Sequence, residues 1–368
     1  MSDPVIIVGA GVSGLRAALL LSSQGIECKV FESRNRIGGR VLSKSVLDRL
    51  DLGEYDLGPT WFWPQHEHSI IRLVNELDLN VFEQYTKGAI LFRQVENGPI
   101  ERHVLPEGAN PKSVRLGGGM TSLAEAIAAK LPIGTVELSS RVTEISIDEK
   151  GKTIVQVNLP DGQKKRIRTK AVILALPPRI VAQYISFTPA LPLNLKMSLE
   201  EKSTWMGGQA KVIAVYDRPF WREDGLSGQA ISRVDILQEI HDASVEEGSG
   251  ALFGFFGISS KRRQEIGEEK ILELVIDQLV RFFGPLAAKP ISLLYKDWSV
   301  DSETAVDSDS EPITAFPDYS VPNGLDVWEN KVFFAGTETS SEHGGHLEGA
   351  LLAAERAVTE VLRVFDCI

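Results

Sequence analysis

Four short stretches of this chain are apolar at every position rather than at alternate ones: Val5–Val8, Lys29–Phe31 (beneath the stem of its lysine), Ala171–Leu176 and Val332–Ala335. Unbroken apolar runs of this length mark parallel strands covered on both faces. They lie far apart in the chain, so one sheet must gather them and the material between must be interleaved. That material follows other patterns. Ala210–Tyr216 and Ala251–Phe255 read as antiparallel strands of a second unit, and Glu268–Phe283 is amphipathic and helical. Near the end, Leu347, Leu351, Ala354, Val358, Val361, Leu362 and Phe365 fall on one stripe of a helix over about 346–365.

The first apolar run leads straight into Gly9-Ala10-Gly11-Val12-Ser13-Gly14, then an apolar-periodic stretch to Gly25, then Cys28-Lys29-Val30-Phe31 ending at Glu32. Strand, Gly-x-Gly-x-x-Gly, helix, strand and acid together predict a dinucleotide site. The first glycine makes the tight turn, and the second admits a pyrophosphate to the backbone. The third lets helix pack on strand, and the helix N-terminus faces the phosphates. Glu32 follows Gly14 by eighteen residues, where a ribose hydroxyl needs an acceptor. The predicted class is α/β: a Rossmann-like dinucleotide-binding domain over 1–83, 115–195 and 325–368, interleaved with an α+β domain on an antiparallel sheet over 84–114 and 196–324.

The flanking segments narrow the ligand. Glu32-Ser33-Arg34-Asn35-Arg36-Ile37-Gly38-Gly39-Arg40 continues the acid into a basic turn, where Arg40 could fork onto pyrophosphate oxygens. Tyr55-Asp56-Leu57-Gly58-Pro59-Thr60-Trp61 reads as a strand end entering an aromatic loop. Val332-Phe333-Phe334-Ala335-Gly336-Thr337-Glu338-Thr339 leads through Gly344-Gly345-His346-Leu347-Glu348-Gly349-Ala350 into the last helix. With Val172-Ile173-Leu174-Ala175-Leu176-Pro177-Pro178 and Pro219-Phe220-Trp221, these segments resemble the flavin-containing amine oxidases, of which monoamine oxidase is the familiar member. The resemblance covers nearly the whole chain. It implies a glutathione-reductase-type domain holding FAD, with the fingerprint on the ADP half and the C-terminal block along the flavin. The residues it implies for the cofactor begin with Gly9, Gly11, Ser13, Gly14, Glu32, Ser33, Arg34, Gly39 and Arg40. They continue with Gly58, Pro59, Thr60, Trp61, Val142, Leu176, Trp298, Gly336, Glu338, His346 and Leu347. The helix that starts at His346 would meet the electron-rich pyrimidine edge of the flavin, which the helix dipole favours.

Composition removes other classes. The chain has 368 residues, 43% hydrophobic and 24% charged, with a net charge of −11 and an isoelectric point near 5.2. Such a balance argues against nucleic acid and against anionic membrane surfaces as partners. The two cysteines, Cys28 and Cys367, are not expected to pair, and a reducing compartment fits. No stretch reaches the roughly 20 apolar residues of a membrane span. The chain stops directly after its last helix, so no membrane anchor and a cytoplasmic location are expected. No pattern sets an oligomeric state, and no metal is expected. The segment Asp301–Glu311, acidic and aperiodic, is expected to be a solvated loop.

Flavin chemistry asks the protein for binding, orientation and electrostatics rather than for an acid–base triad. Lys211 shares a strand face with Ile213 and Val215, which is unusual for a solvent lysine. It matches the family lysine that holds a water near flavin N5, so Lys211 is expected to be catalytic; the alternative is an edge-strand lysine reaching for solvent. Trp298 matches the tryptophan beside the flavin ring. Trp61 and Trp63 are expected to wall the substrate pocket with Lys211, Trp298 and His346, or to seal the interface between domains.

Three departures from the family matter. Members with covalent FAD carry a cysteine just after the Trp298-like position, and Asp301-Ser302-Glu303-Thr304-Ala305-Val306 has none, so FAD should be non-covalent. Of the two rings that flank the amine in familiar members, one would fall near Val306 and is missing; the other aligns with His346, the second expected catalytic residue. The stretch between Leu79 and Arg115 is too short for the helical subdomain that roofs the pocket in larger members. The implied reaction passes hydride from the amine α-carbon to flavin N5, hydrolyses the imine and reoxidises the flavin with O2 to give H2O2. The partners are then a small amine and O2. A desaturase or biosynthetic oxidase of a bulkier substrate is the second reading. A binding protein of the Rab GDP-dissociation-inhibitor type is the third, and Arg40, Glu338 and Lys211 argue against it.

Overall fold

The computed structural model describes residues 3–106, 108, 111–310, 313 and 316–366. The apolar runs do meet in one sheet. Its five strands are all parallel, in the order Val332–Phe334, Ala171–Leu174, Val5–Val8, Cys28–Phe31 and Val136–Glu137. Each residue of Val5–Val8 is buried, because Val5 and Ile7 face one hydrophobic cluster while Ile6 and Val8 face another. The third run ends two residues earlier than its apolar pattern. Ala175 and Leu176 leave the sheet and turn into a cavity.

The first helix, Val12–Ser23, lies against this sheet. A Cβ on Gly14 would come within 1.9 Å of the Gly9 carbonyl oxygen, so only glycine lets helix and strand meet this closely. The last helix, Leu347–Asp366, buries the expected stripe against the same cluster. Its Glu348 reaches sideways. The backbone N–H groups of Ser69 and Ile70, at the start of helix His68–Glu76, donate to the two carboxylate oxygens at 2.9 and 2.8 Å. Two donors that helix geometry leaves without partners are thereby satisfied by another helix.

The second large sheet has seven strands, in the order Ser292–Asp297, Ala210–Tyr216, Gly250–Phe256, Leu237–Asp242, Leu226–Ser232, Ala89–Arg93 and Glu101–His103. It is antiparallel except where Leu226–Ser232 runs parallel to Ala89–Arg93. Helix Glu268–Phe283 covers one face through Ile271, Val275, Leu279, Phe282 and Phe283. A third sheet of four strands carries Arg141–Ile147. Between Leu79 and Arg115 the described residues form only short strands and turns. Among the described residues no helix is long and apolar enough to cross a membrane. Cys28 is a buried free thiol, and Cys367 lies outside the described residues.

The acidic segment is not a solvated loop. Asp309 is buried, accepting from Thr204 N–H and pairing with Arg179 at 2.6 Å. Asp301 pairs with Lys296 at 2.6 Å and with Arg34, while Glu303 pairs with Arg141. Cations from distant parts of the chain compensate these carboxylates, which no local periodicity records. Glu311 lies outside the described residues.

Candidate active site

A long cavity runs between the parallel and the seven-stranded sheets. Its empty space is about 1670 Å³, the open mouth included. Of the residues expected to touch the cofactor, Gly9, Gly11, Ser13, Glu32, Arg34, Gly39, Arg40, Gly58, Pro59, Thr60, Trp61, Leu176, Trp298, Gly336, His346 and Leu347 line it, as do Trp63 and Lys211. Four do not. Gly14 is spent on helix packing. The Ser33 hydroxyl donates to Glu303 at 2.5 Å. Val142 sits in the apolar cluster beneath the parallel sheet. Glu338 is fully buried behind Arg40.

The glycine-rich wall is built for an anion. Helix Val12–Ser23 begins at Gly11 with no side-chain cap and no acid in its first turn, and Gly11, Val12 and Ser13 line the cavity, so this helix start faces it. Glu32 closes the next strand. Its carboxylate accepts from Ala10 N–H at 2.8 Å and Arg34 N–H at 2.9 Å, which fixes it and leaves lone pairs for hydroxyl groups. Arg40 differs from the expectation of a free fork: both terminal nitrogens are held by Glu338, at 2.5 and 3.0 Å. Segment 301–304 crosses beside this wall, and Glu303 and Thr304 join the lining.

Elsewhere along the wall, Lys211 is only 2% exposed. Its ammonium nitrogen donates to the Gly58 carbonyl at 3.0 Å and to the Thr60 hydroxyl, and lies 4.0 Å from the centre of the Phe253 ring. Burial pushes its pKa down to about 7; the buried Asp56 carboxylate opposes this and the Arg115 guanidinium adds to it. The lysine is therefore not an edge-strand residue reaching for solvent. Trp298 is buried against the cavity, and its indole N–H donates to Leu57 O at 3.0 Å.

His346 faces the mouth. Trp63 stacks beside it at 6.1 Å between ring centres, and Trp205 and Phe316 each stand at 6.2 Å. Val306 is absent from the lining; Trp205, in the connection between helix Leu193–Glu201 and strand Ala210–Tyr216, supplies an indole there. Sequence reasoning missed Trp205, Phe253, Phe255 and Glu67. Phe253 and Phe255 could have been found, because their strand pairs with the one bearing Lys211 and Phe255 lies opposite it. Trp205 and Glu67 carry no local signal. Glu67 is 2% exposed, accepts from Trp63 N–H at 2.8 Å and lies 3.3 Å from His346 Nδ1.

A profile of the flavin containing amine oxidoreductase family matches residues 89–362, and one of NAD(P)-binding Rossmann-like domains matches residues 7–77. The chain belongs to the flavin-containing amine oxidoreductases. Members similar to it include a putrescine oxidase of Kocuria rosea, 24% identical over 97% of this chain and 95% of that protein, and human flavin-containing amine oxidase B, 22% identical over 99% and 87%. Cyclohexylamine oxidase from Brevibacterium oxydans shares the fold over the full length of both chains, with a TM-score of 0.81 at 22% identity. The alignment with the putrescine oxidase spans 465 positions against 368 residues here, so that relative carries segments this chain lacks. As a family member the protein is a flavin-dependent oxidoreductase. Its cofactor is FAD, and the uncapped helix start, the fixed Glu32 and the glycine-lined wall fit one. The described 301–306 segment holds no cysteine that could bond to it.

Proposed function

We propose that this protein oxidises a small-molecule amine at the wall formed by Lys211, Trp61, Trp63, Trp205 and His346, with O2 as acceptor and H2O2 as product. The observation that carries this reading is Lys211, a buried amine opening onto the same cavity as the dinucleotide fingerprint. Bound FAD supplies the two-electron acceptor for the hydride equivalent leaving the amine α-carbon. The fingerprint glycines, Glu32 and the start of helix Val12–Ser23 would bind its nucleotide half, while Trp298 and Leu347 would fix its ring half. Lys211, with a pKa of about 7, is divided between ammonium and neutral amine at neutral pH. The neutral form accepts a hydrogen bond from a water, and the charged form donates one, so Lys211 holds and moves protons at its Nζ. Trp61 and Phe253 screen this point from bulk water. The imine product hydrolyses on release to an aldehyde and ammonia or a shorter amine.

Purified protein should be yellow and release its FAD on denaturation. Peroxide formation over a panel of amines and amino acids tests the reaction. A yellow protein that yields no peroxide with any amine would transfer the fold and cofactor to a desaturase-type reaction. A colourless protein that takes up no flavin would overturn the cofactor assignment as well.

A further inference from the structure

Glu67 is a buried carboxylate. Among the described residues no lysine or arginine pairs with it; its ionic neighbour is His346. A buried anion needs a compensating cation. A second imidazole completes the surroundings: one ligand atom each from Glu67, His343 and His346 lie within 4.8 Å of one another. We propose that these three residues form a divalent transition-metal site, suited to Zn2+, at the mouth of the cavity.

The geometry is close to what zinc requires. With Zn–N and Zn–O bonds of about 2.0–2.2 Å, two ligands of a tetrahedral ion stand about 3.3–3.6 Å apart. Glu67 Oε1 and His346 Nδ1 stand 3.3 Å apart. Closing His343 onto them shortens its separations by at most about 1.5 Å, which one turn of an exposed side chain achieves. Two imidazoles and one carboxylate leave a fourth position for water, and this donor set favours zinc over calcium or magnesium, which take oxygen ligands.

The site is also held in place before any ion arrives. The Trp63 N–H holds the other Glu67 oxygen. His343 takes a left-handed backbone with φ 50°, and its carbonyl accepts from His346 N–H at 3.0 Å. The turn between the two histidines is pinned from outside. A Cβ on Gly344 would meet Tyr319 at 2.6 Å, and one on Gly345 would meet Trp205 at 2.6 Å. An ammonium group would satisfy Glu67 alone, with no use for two imidazoles beside it. A bound ion instead takes both and fixes His346. On the reading given under the proposed function, zinc would then block amine entry and inhibit.

The binding test does not depend on that reading. Untagged, flavin-loaded protein, first treated with chelator, is titrated with ZnCl2 by calorimetry, and Co2+ is used to record a tetrahedral absorption band. One ion per chain is expected. His343→Asn keeps a residue that tolerates the left-handed backbone, and Glu67→Gln keeps the bond from Trp63. Each should weaken Zn2+ binding by at least about tenfold, the loss that even outer-shell changes cause. His343→Asn should leave metal-free amine turnover unchanged and abolish zinc inhibition. No binding at millimolar Zn2+, or equal affinity in His343→Asn, overturns the site. Zinc binding in a protein that oxidises no amine would keep the site and overturn only the proposed function.

Discussion

Arg40 and Glu338, 298 residues apart in the chain, meet in a two-point pair in which Nη1 lies 2.5 Å from Oε1 and Nη2 3.0 Å from Oε2. The carboxylate is wholly buried and also accepts from Trp205 N–H at 3.2 Å. One buried acid thus orients a cofactor-wall arginine and anchors the segment carrying Trp205. Glu338→Gln keeps the shape and removes the charge. It should cost about 2–4 kcal/mol of stability, less than a fully buried pair because Arg40 is 26% exposed. Chemical denaturation of the FAD-free protein measures this. An unchanged midpoint with unchanged FAD affinity would show that the pair does neither job.

Lys211→Met should leave the protein folded and yellow while slowing one flavin half-reaction in stopped-flow mixing. It should also change how stability depends on pH. The lysine's ordinary value is 10.5 and its folded value about 7. Between these limits the unfolded chain holds a proton that the folded chain lacks, so raising pH through the window stabilises the fold by at most about 1.4 kcal/mol per pH unit. Below about pH 7 both states carry the charge and its burial costs in full. The methionine variant should therefore be the more stable protein near pH 6, with the gap closing towards pH 9. A gap that is flat with pH would show the lysine to be solvated.

Removing the Glu32 carboxylate deletes the acceptor offered to ribose. Glu32→Ala should weaken FAD binding by roughly 1.5–3 kcal/mol, the range for a bond to a charged group. Because Glu32 also holds the N–H groups of Ala10 and Arg34, the comparison needs the melting temperature of the FAD-free form. Flavin fluorescence titration gives the affinity. Equal affinity in the variant assigns Glu32 to those two backbone bonds alone.

Replacing His346 probes substrate choice. Trp63 and Trp205 already stand beside it, so His346→Tyr would complete an aromatic surround. Turnover of small arylalkylamines such as benzylamine should rise, with FAD content unchanged. Wild type should prefer larger or more polar amines, since the cavity is open at His346, whose side chain is 32% exposed. Efficient benzylamine oxidation by wild type and no change in the variant would remove His346 from substrate selection.

The elements that periodicity governs were legible in the chain. Val5–Val8, Ala210–Tyr216 and Glu268–Phe283 occupy the residues their patterns outline, because each buries faces set by a fixed repeat. The glycine fingerprint was legible because close approach leaves no other residue possible. Long-range charge pairing was not. Asp301, Glu303 and Asp309 look solvent-bound in sequence and are satisfied by Lys296, Arg34, Arg141 and Arg179. Glu67 and Trp205 stayed hidden for the same reason: each gains its meaning from a side chain that the local sequence does not contain.

The bonds from Ser69 and Ile70 to Glu348 have a mechanical outcome. Glu67 stands just before one helix start, and His346 just before the other. A single carboxylate staples the two starts together, so this side of the mouth behaves as a fixed doorpost. Trp205 and Phe316, which lean on each other at 4.6 Å between ring centres, stand beside that post, each 6.2 Å from His346.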